Sequence, residues 1–169
     1  MMCGAAESIT IAVSVECDDW LTLCPAAERL AEAAARMALA ADVGPPARPL
    51  VLGVVLSDDE RQQELNRTYR DTDAATNVLA FALADLAAPA PPGAPALLGD
   101  VVLAFATVAR EAAQQRKPLG DHLQHLVVHG VLHLLGFDHQ RAADAAEMEA
   151  RETEILASLG VPDPYRDTM

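Results

Sequence analysis

A chain of 169 residues with a formal net charge of −13 is long enough for one sizeable core, and it is too acidic for broad electrostatic binding of nucleic acid, which needs clustered Lys and Arg. Hydrophobic content of 51% with only 4% aromatics makes the core one of Ala, Val and Leu, and no apolar run reaches the roughly 18 to 20 residues of a membrane span. Cys3, Cys17 and Cys24 are odd in number and lack CxxC spacing, and no basic leader precedes the first apolar run. The expectation is one domain over residues 1–169, unexported and cytoplasmic, with no membrane partner.

In chain order, "SITIAVSVE" alternates apolar and polar residues over Ile9, Ile11, Val13 and Val15, the pattern of a half-buried strand. "PAAERLAEAAARMALAADVG" carries apolar residues at helical spacing and is stopped by "GPPARP". "LVLGVVLS" reads as a second strand, and Ser57 with Glu60 forms a capping box that opens the helix "DDERQQELNRTYR". "TNVLAFAL" is a third strand, the Pro-rich stretch 85–98 a loop, and "GDVVLAF" a fourth strand. "ATVAREAAQQRK" is a helix ending at Pro118, "LGDHLQHLVVHGVLHLL" an apolar helix ending at Gly136, and "RAADAAEMEARETEILASLG" an acidic amphipathic helix. This order predicts an α+β fold, a single-domain mixed sheet of about four strands layered with about five helices.

Four of the five histidines fall within "HLVVHGVLHLLGFDH", residues 125–139. His129 and His133 are one helical turn apart, so both imidazoles reach one ion. Gly136 can end the helix in a left-handed conformation, and the following turn can bring His139 back to the same ion. The pattern His129-x3-His133-x2-Gly136-x2-His139 has the spacing of the metzincin site, a zincin-like metal helix whose three histidines leave a zinc ion an open fourth position. Zinc is the first expectation for one divalent ion, although nickel and copper suit imidazole as well. The bland alternative is a core helix whose histidines are satisfied by hydrogen bonds. His125, one turn earlier, and Asp138 are candidates for orienting a ligand imidazole through its free N–H.

Position 130 is Gly, where a zinc protease has the Glu that acts as general base. Glycine inside a helix costs about 1 kcal/mol relative to alanine. The expected benefit is room beside the ion for a nucleotide, which makes Gly130 a substrate-binding candidate.

The motif "HGVLHLLGFDH" resembles HGxLHLxGYDH of the YbeY family of bacterial metal-dependent endoribonucleases, with Phe137 in place of Tyr. "LNRTYRDTDAATNVLAF", "LLGD" at Leu97 to Asp100 and "MEARETEIL" resemble further motifs of that family in the same order, from about residue 57 to Tyr165. Ala75 and Ala80 depart from it, standing where the family has Pro and Ser. The resemblance implies His129, His133 and His139 as metal ligands and Arg70 as the catalytic, phosphate-gripping residue. Asn66, one turn before Arg70, joins it as a substrate-binding candidate. The implied activity is metal-dependent cleavage of single-stranded RNA in rRNA maturation and ribosome quality control, with the ribosome or its proteins as partners. Two other readings stay open: a ribosome-associated binding protein with a structural metal, which suits the acidic chain, and a metalloprotease, which lacks its base.

Overall fold

The computed structural model describes residues 9–43, 49–69, 77–82, 94–136 and 142–165. The runs of period-two hydrophobicity become four strands: β1 (Ile9–Val15), β2 (Leu50–Ser57), β3 (Val78–Ala82) and β4 (Ala96–Ala104). They form one mixed sheet in the order β1-β2-β4-β3, with β1, β2 and β4 parallel and β3 antiparallel to β4. The helices among the described residues are α1 (Asp19–Leu23), α2 (Ala27–Val43), α3 (Asp59–Tyr69), α4 (Phe105–Gln114), α5 (Leu119–Leu134) and α6 (Ala142–Ser158). The predicted α+β class with four strands holds. The helix beyond the expected five is α1, too short to show a period; it is seated by Trp20, which is fully buried, donates to the Ser57 carbonyl at 2.8 Å and meets Phe105 edge-on.

Alternate residues of β2 and β4 face opposite sides of the sheet. Leu50, Leu52, Val54 and Leu56 of β2, with Val101 and Leu103 of β4, are buried in one core with residues of α2 and α5. α6 packs against the outer side of α5, so α5 is enclosed between the sheet, α2 and α6. That position explains its almost continuous apolar sequence. The opposite face carries α3, whose Leu65 and Arg61 line a groove of about 410 Å³ with Val55, Phe81, Asp100 and Val102. The Pro-rich loop gives way to β4 at Ala96, earlier than "GDVVLAF" predicted, because "ALL" extends the pairing with β2. Among the described residues no helix is long and apolar enough to cross a membrane.

The capping box is corrected. Asp58, not Ser57, caps α3, accepting the Arg61 N–H at 2.8 Å, while the Ser57 hydroxyl donates to Glu16. The next carboxylate, Asp59, serves another helix: it accepts the Thr107 N–H and hydroxyl in the first turn of α4. Three successive polar residues thus tie three elements together, and local spacing does not reveal which residue serves which helix.

Gly130 also departs from expectation. It is buried against the sheet, and a Cβ there would lie 2.6 Å from Val101 Cγ1 and 3.4 Å from Val78 Cγ2. The room at residue 130 is filled by the sheet, so the glycine lets α5 approach β4 and β3, and it does not open space for a nucleotide. Val101 is fully buried and stiff at its branched Cβ, so it has little freedom to yield. We expect Gly130→Ala to destabilise the fold, an overpacking cost of about 1–3 kcal/mol exceeding the roughly 1 kcal/mol gained in helix propensity. Urea unfolding of Gly130→Ala, Val101→Ala and the double variant checks this. The double variant should cost less than the two single changes together, and simple additivity would show that the contact is not strained.

Candidate metal centre

α5 begins after Pro118, whose carbonyl accepts the N–H groups of Asp121 and His122, and it ends at Leu134. Gly136 follows at φ +101, donating to the His133 carbonyl at 3.0 Å. This is the left-handed helix ending that its spacing predicted. His122, His125, His129 and His133 line one side of the helix, with successive ring centroids at 6.1, 6.3 and 4.7 Å.

The side chain that organises this row lies on α6. Glu152 is fully buried, and its two oxygens divide the neighbours: Oε2 lies 2.6 Å from His129 Nδ1, and Oε1 lies 2.9 Å from His125 Nε2. The Tyr165 hydroxyl also donates to Oε1. Burial works against the charged form of Glu152, but the hydrogen bonds from His125, His129 and Tyr165 outweigh it and pull its carboxyl down to about 2. A carboxylate only accepts, so both imidazoles must donate to it. His129 therefore carries a proton on Nδ1, which in the neutral ring leaves the lone pair on Nε2. Burial, then the adjacent Glu152 charge, raises the Tyr165 pKa above the ordinary phenol value, keeping that hydroxyl a donor.

His129 Nε2 and His133 Nε2 lie 3.2 Å apart. Two nitrogens bound at about 2.0–2.1 Å to one tetrahedral ion are about 3.3 Å apart. The pair, with a carboxylate on Nδ1 of His129, has the spacing of two positions on a divalent ion. Among the described residues no group of three His, Cys, Asp or Glu side chains forms a complete site. His139 and Asp138 lie outside the described residues, as does Arg70. His125 stands behind the pair, bonded to the same carboxylate as His129 rather than to a ligand directly. Asn66 is brought elsewhere: it is 2% exposed, a turn after the equally buried Gln62 on α3, the helix on the sheet's other face. The large groove on that face holds no histidine.

Glu152 and Tyr165 were not singled out in the sequence. Glu152 had a signal: it shares the apolar stripe of α6 with Met148, Ile155 and Leu156, all buried, whereas its acidic neighbours Glu149 and Glu154 are not. A carboxylate on a core-facing stripe must find donors. Tyr165 gave none.

His122 serves a separate network. It is 3% exposed, and its Nε2 lies 2.9 Å from Glu111 Oε1, which also accepts from Asn77 Nδ2 at the start of β3. Burial lowers its pKa below the ordinary value, the Glu111 bond offsetting only part of this, so the folded protein holds the ring neutral. The unfolded chain then binds more protons at acid pH. The stabilisation from His122 is fully present above its unfolded pKa of about 6.5 and is lost as pH falls through it. We expect the stability advantage of the native chain over His122→Asn to shrink between pH 7 and pH 5. Urea unfolding across that range measures it, and an advantage that grows on acidification would place the proton on the folded ring.

Comparison with known proteins identifies the family. A family model described as endoribonuclease YbeY matches residues 21–160. The chain is 54% identical over 159 residues to an endoribonuclease YbeY of Paramagnetospirillum magneticum, covering 94% of this chain and 96% of the relative. It is 57% identical over 123 residues to that of Magnetococcus marinus, covering 69% and 84%, and 48% identical over 154 residues to that of Rhodospirillum rubrum, covering 88% and 77%. A solution structure of a Thermotoga maritima protein superposes with a TM-score of 0.53 at 20% identity, over 94% of this chain and all of the other, a likeness of fold alone. Matched along most of its length by the family and by relatives near half identity, the chain belongs to the endoribonuclease YbeY family.

Proposed function

We propose that this endoribonuclease, a single domain over residues 1–169, cleaves single-stranded RNA in rRNA maturation and ribosome quality control, using one divalent ion, zinc foremost, held by His129, His133 and His139. The observation that carries the reading is the pair of Nε2 atoms 3.2 Å apart on α5, with the Nδ1 of His129 tied to a buried carboxylate. When bound, the ion supplies a Lewis acid for a phosphoryl oxygen and for water. The chain's own residues do the rest. His129 and His133 bind as neutral imidazoles, and Glu152 fixes the tautomer of His129. Arg70, next in the chain after α3, offers two parallel N–H donors to phosphate oxygens and stabilises the charge that develops there. Asp138, beside His139 in sequence, supplies a carboxylate for a ligand's free N–H.

Peptide hydrolysis is disfavoured on structural grounds. The position of the protease base is Gly130, and its side-chain direction runs into Val101. The net charge of −13 favours basic ribosomal proteins as partners and leaves RNA to be held locally near Arg70. A cytoplasmic location fits that substrate.

Two variants test the assignment. His133→Ala should lose tight metal binding and the thermal stabilisation that metal confers, because the ion no longer favours the folded state; elemental analysis showing full occupancy would remove His133 from the site. Arg70→Ala should keep its metal and fold but cleave a synthetic single-stranded RNA at least about tenfold more slowly, a charge-assisted contact being worth roughly 1.5–3 kcal/mol. Native cleavage rates in the metal-loaded variant would return Arg70 to a surface role. RNA cleavage unaffected by chelation would instead favour a structural metal.

A further inference from the structure

α6 ends at Ser158, and the chain turns at once: the Val161 N–H returns to the Leu156 carbonyl at 2.9 Å, and Val161 enters the core. Three contacts then fix the segment "PDPY". The Asp163 carboxylate accepts the Tyr165 N–H at 2.8 Å and lies 3.3 Å from the Thr153 hydroxyl of α6, whose proton it shares with the Glu149 carbonyl at 2.9 Å, and Lys117 reaches the Pro164 carbonyl at 3.5 Å. Pro162 and Pro164 restrict the backbone on either side of Asp163. The result is a folded-back tail that delivers one phenol to the histidine row. Its ring stands edge-on to His125 at a centroid distance of 5.4 Å, and its hydroxyl lies 3.3 Å from His125 Nε2 and donates to Glu152 Oε1.

We infer that Tyr165 is a positioning residue for the metal centre, acting through Glu152: by occupying Oε1 together with His125, its hydroxyl holds the carboxylate so that Oε2 stays on His129 Nδ1 and aims His129 Nε2 at the ion. This rests on the reading of His129 and His133 as ligands. The geometry requires such a partner, because a carboxylate whose two oxygens serve adjacent imidazoles of one helix can rotate to favour either. A donor on Oε1 that is anchored to α6 itself, through Asp163 and Thr153, removes that freedom. Tyr165 is 44% exposed, so the phenylalanine variant keeps the ring and loses only the hydroxyl.

The test is titration of the chelator-stripped full chain with cobalt(II), followed by its visible ligand-field absorption. Tyr165→Phe should bind cobalt at least about tenfold more weakly than the native chain, within the range seen when a residue behind a ligand is removed. Its spectrum at saturating cobalt should also differ, a readout that a purely structural contact would leave unchanged. Glu152→Gln should show the same defect or a larger one, and adding Tyr165→Phe to it should cost nothing further. Native affinity and spectrum in Tyr165→Phe would overturn the inference, as would full additivity of the two changes. Absence of cobalt binding by the native chain would instead overturn the metal centre on which it rests. Should Glu152→Gln not fold, the affinity and spectrum of Tyr165→Phe decide alone.

Discussion

One buried carboxylate organises the functional half of this molecule. Taking Glu152 out of water is costly, and an unpaired charge at that position would destabilise the fold by several kcal/mol. Three donors, from His125, His129 and Tyr165, offset the loss of water. They come from one helix, α5, and from the turn beyond α6, so satisfying one charge on α6 fixes the register of α6 against α5 and the path of the chain beyond α6. The same bonds leave His129 with its lone pair on the side facing His133. Structural and chemical requirements are met by one set of atoms, and a change that frees the carboxylate disturbs both.

α5 has two obligations that pull against each other. It must be apolar to sit between the sheet, α2 and α6, and, on the proposed reading, it must present lone pairs to an ion. The solution is a division by face. Leu126, Val127, Val131 and Leu132 are buried in the core, while His125 and His129 occupy the side that meets α6, where Glu152 holds both. Gly130 belongs to the first obligation: with any side chain there, α5 would stand further from β4. Its absence of a carboxylate, which separates this site from a protease, thus follows from packing as much as from the reaction.

The fold class and the order of elements were legible in the sequence because they rest on periodicity, and periodicity is local. The strands around Ile11, Val54 and Val101 and the helix around His129 appear where hydrophobic spacing put them. The pairing of histidines four apart was legible for the same reason, since a helix fixes that geometry alone. What was not legible depends on contacts between distant segments. The sequence could not show that Ser57 serves Glu16 and leaves the cap to Asp58, that Gly130 faces Val101, or that Asn66 is buried. Glu152 lay between these cases, marked by its place on an apolar stripe but hidden in a helix rich in Glu. Arg70, Asp138 and His139 lie outside the described residues, and their assignment stands on motif and spacing.

The connectivity bears on how the enzyme comes into being. Among the described residues every strand precedes α5 in the chain, and β1 pairs with β2, which in turn pairs with β4. During synthesis the whole sheet can therefore be assembled before Glu152 and Tyr165 have left the ribosome, since domains begin to fold as they emerge. His129 is made before the carboxylate that fixes its tautomer. A nascent chain has its scaffold first and its carboxylate last, so the histidine row stays unorganised until α6 and the turn beyond it have been made.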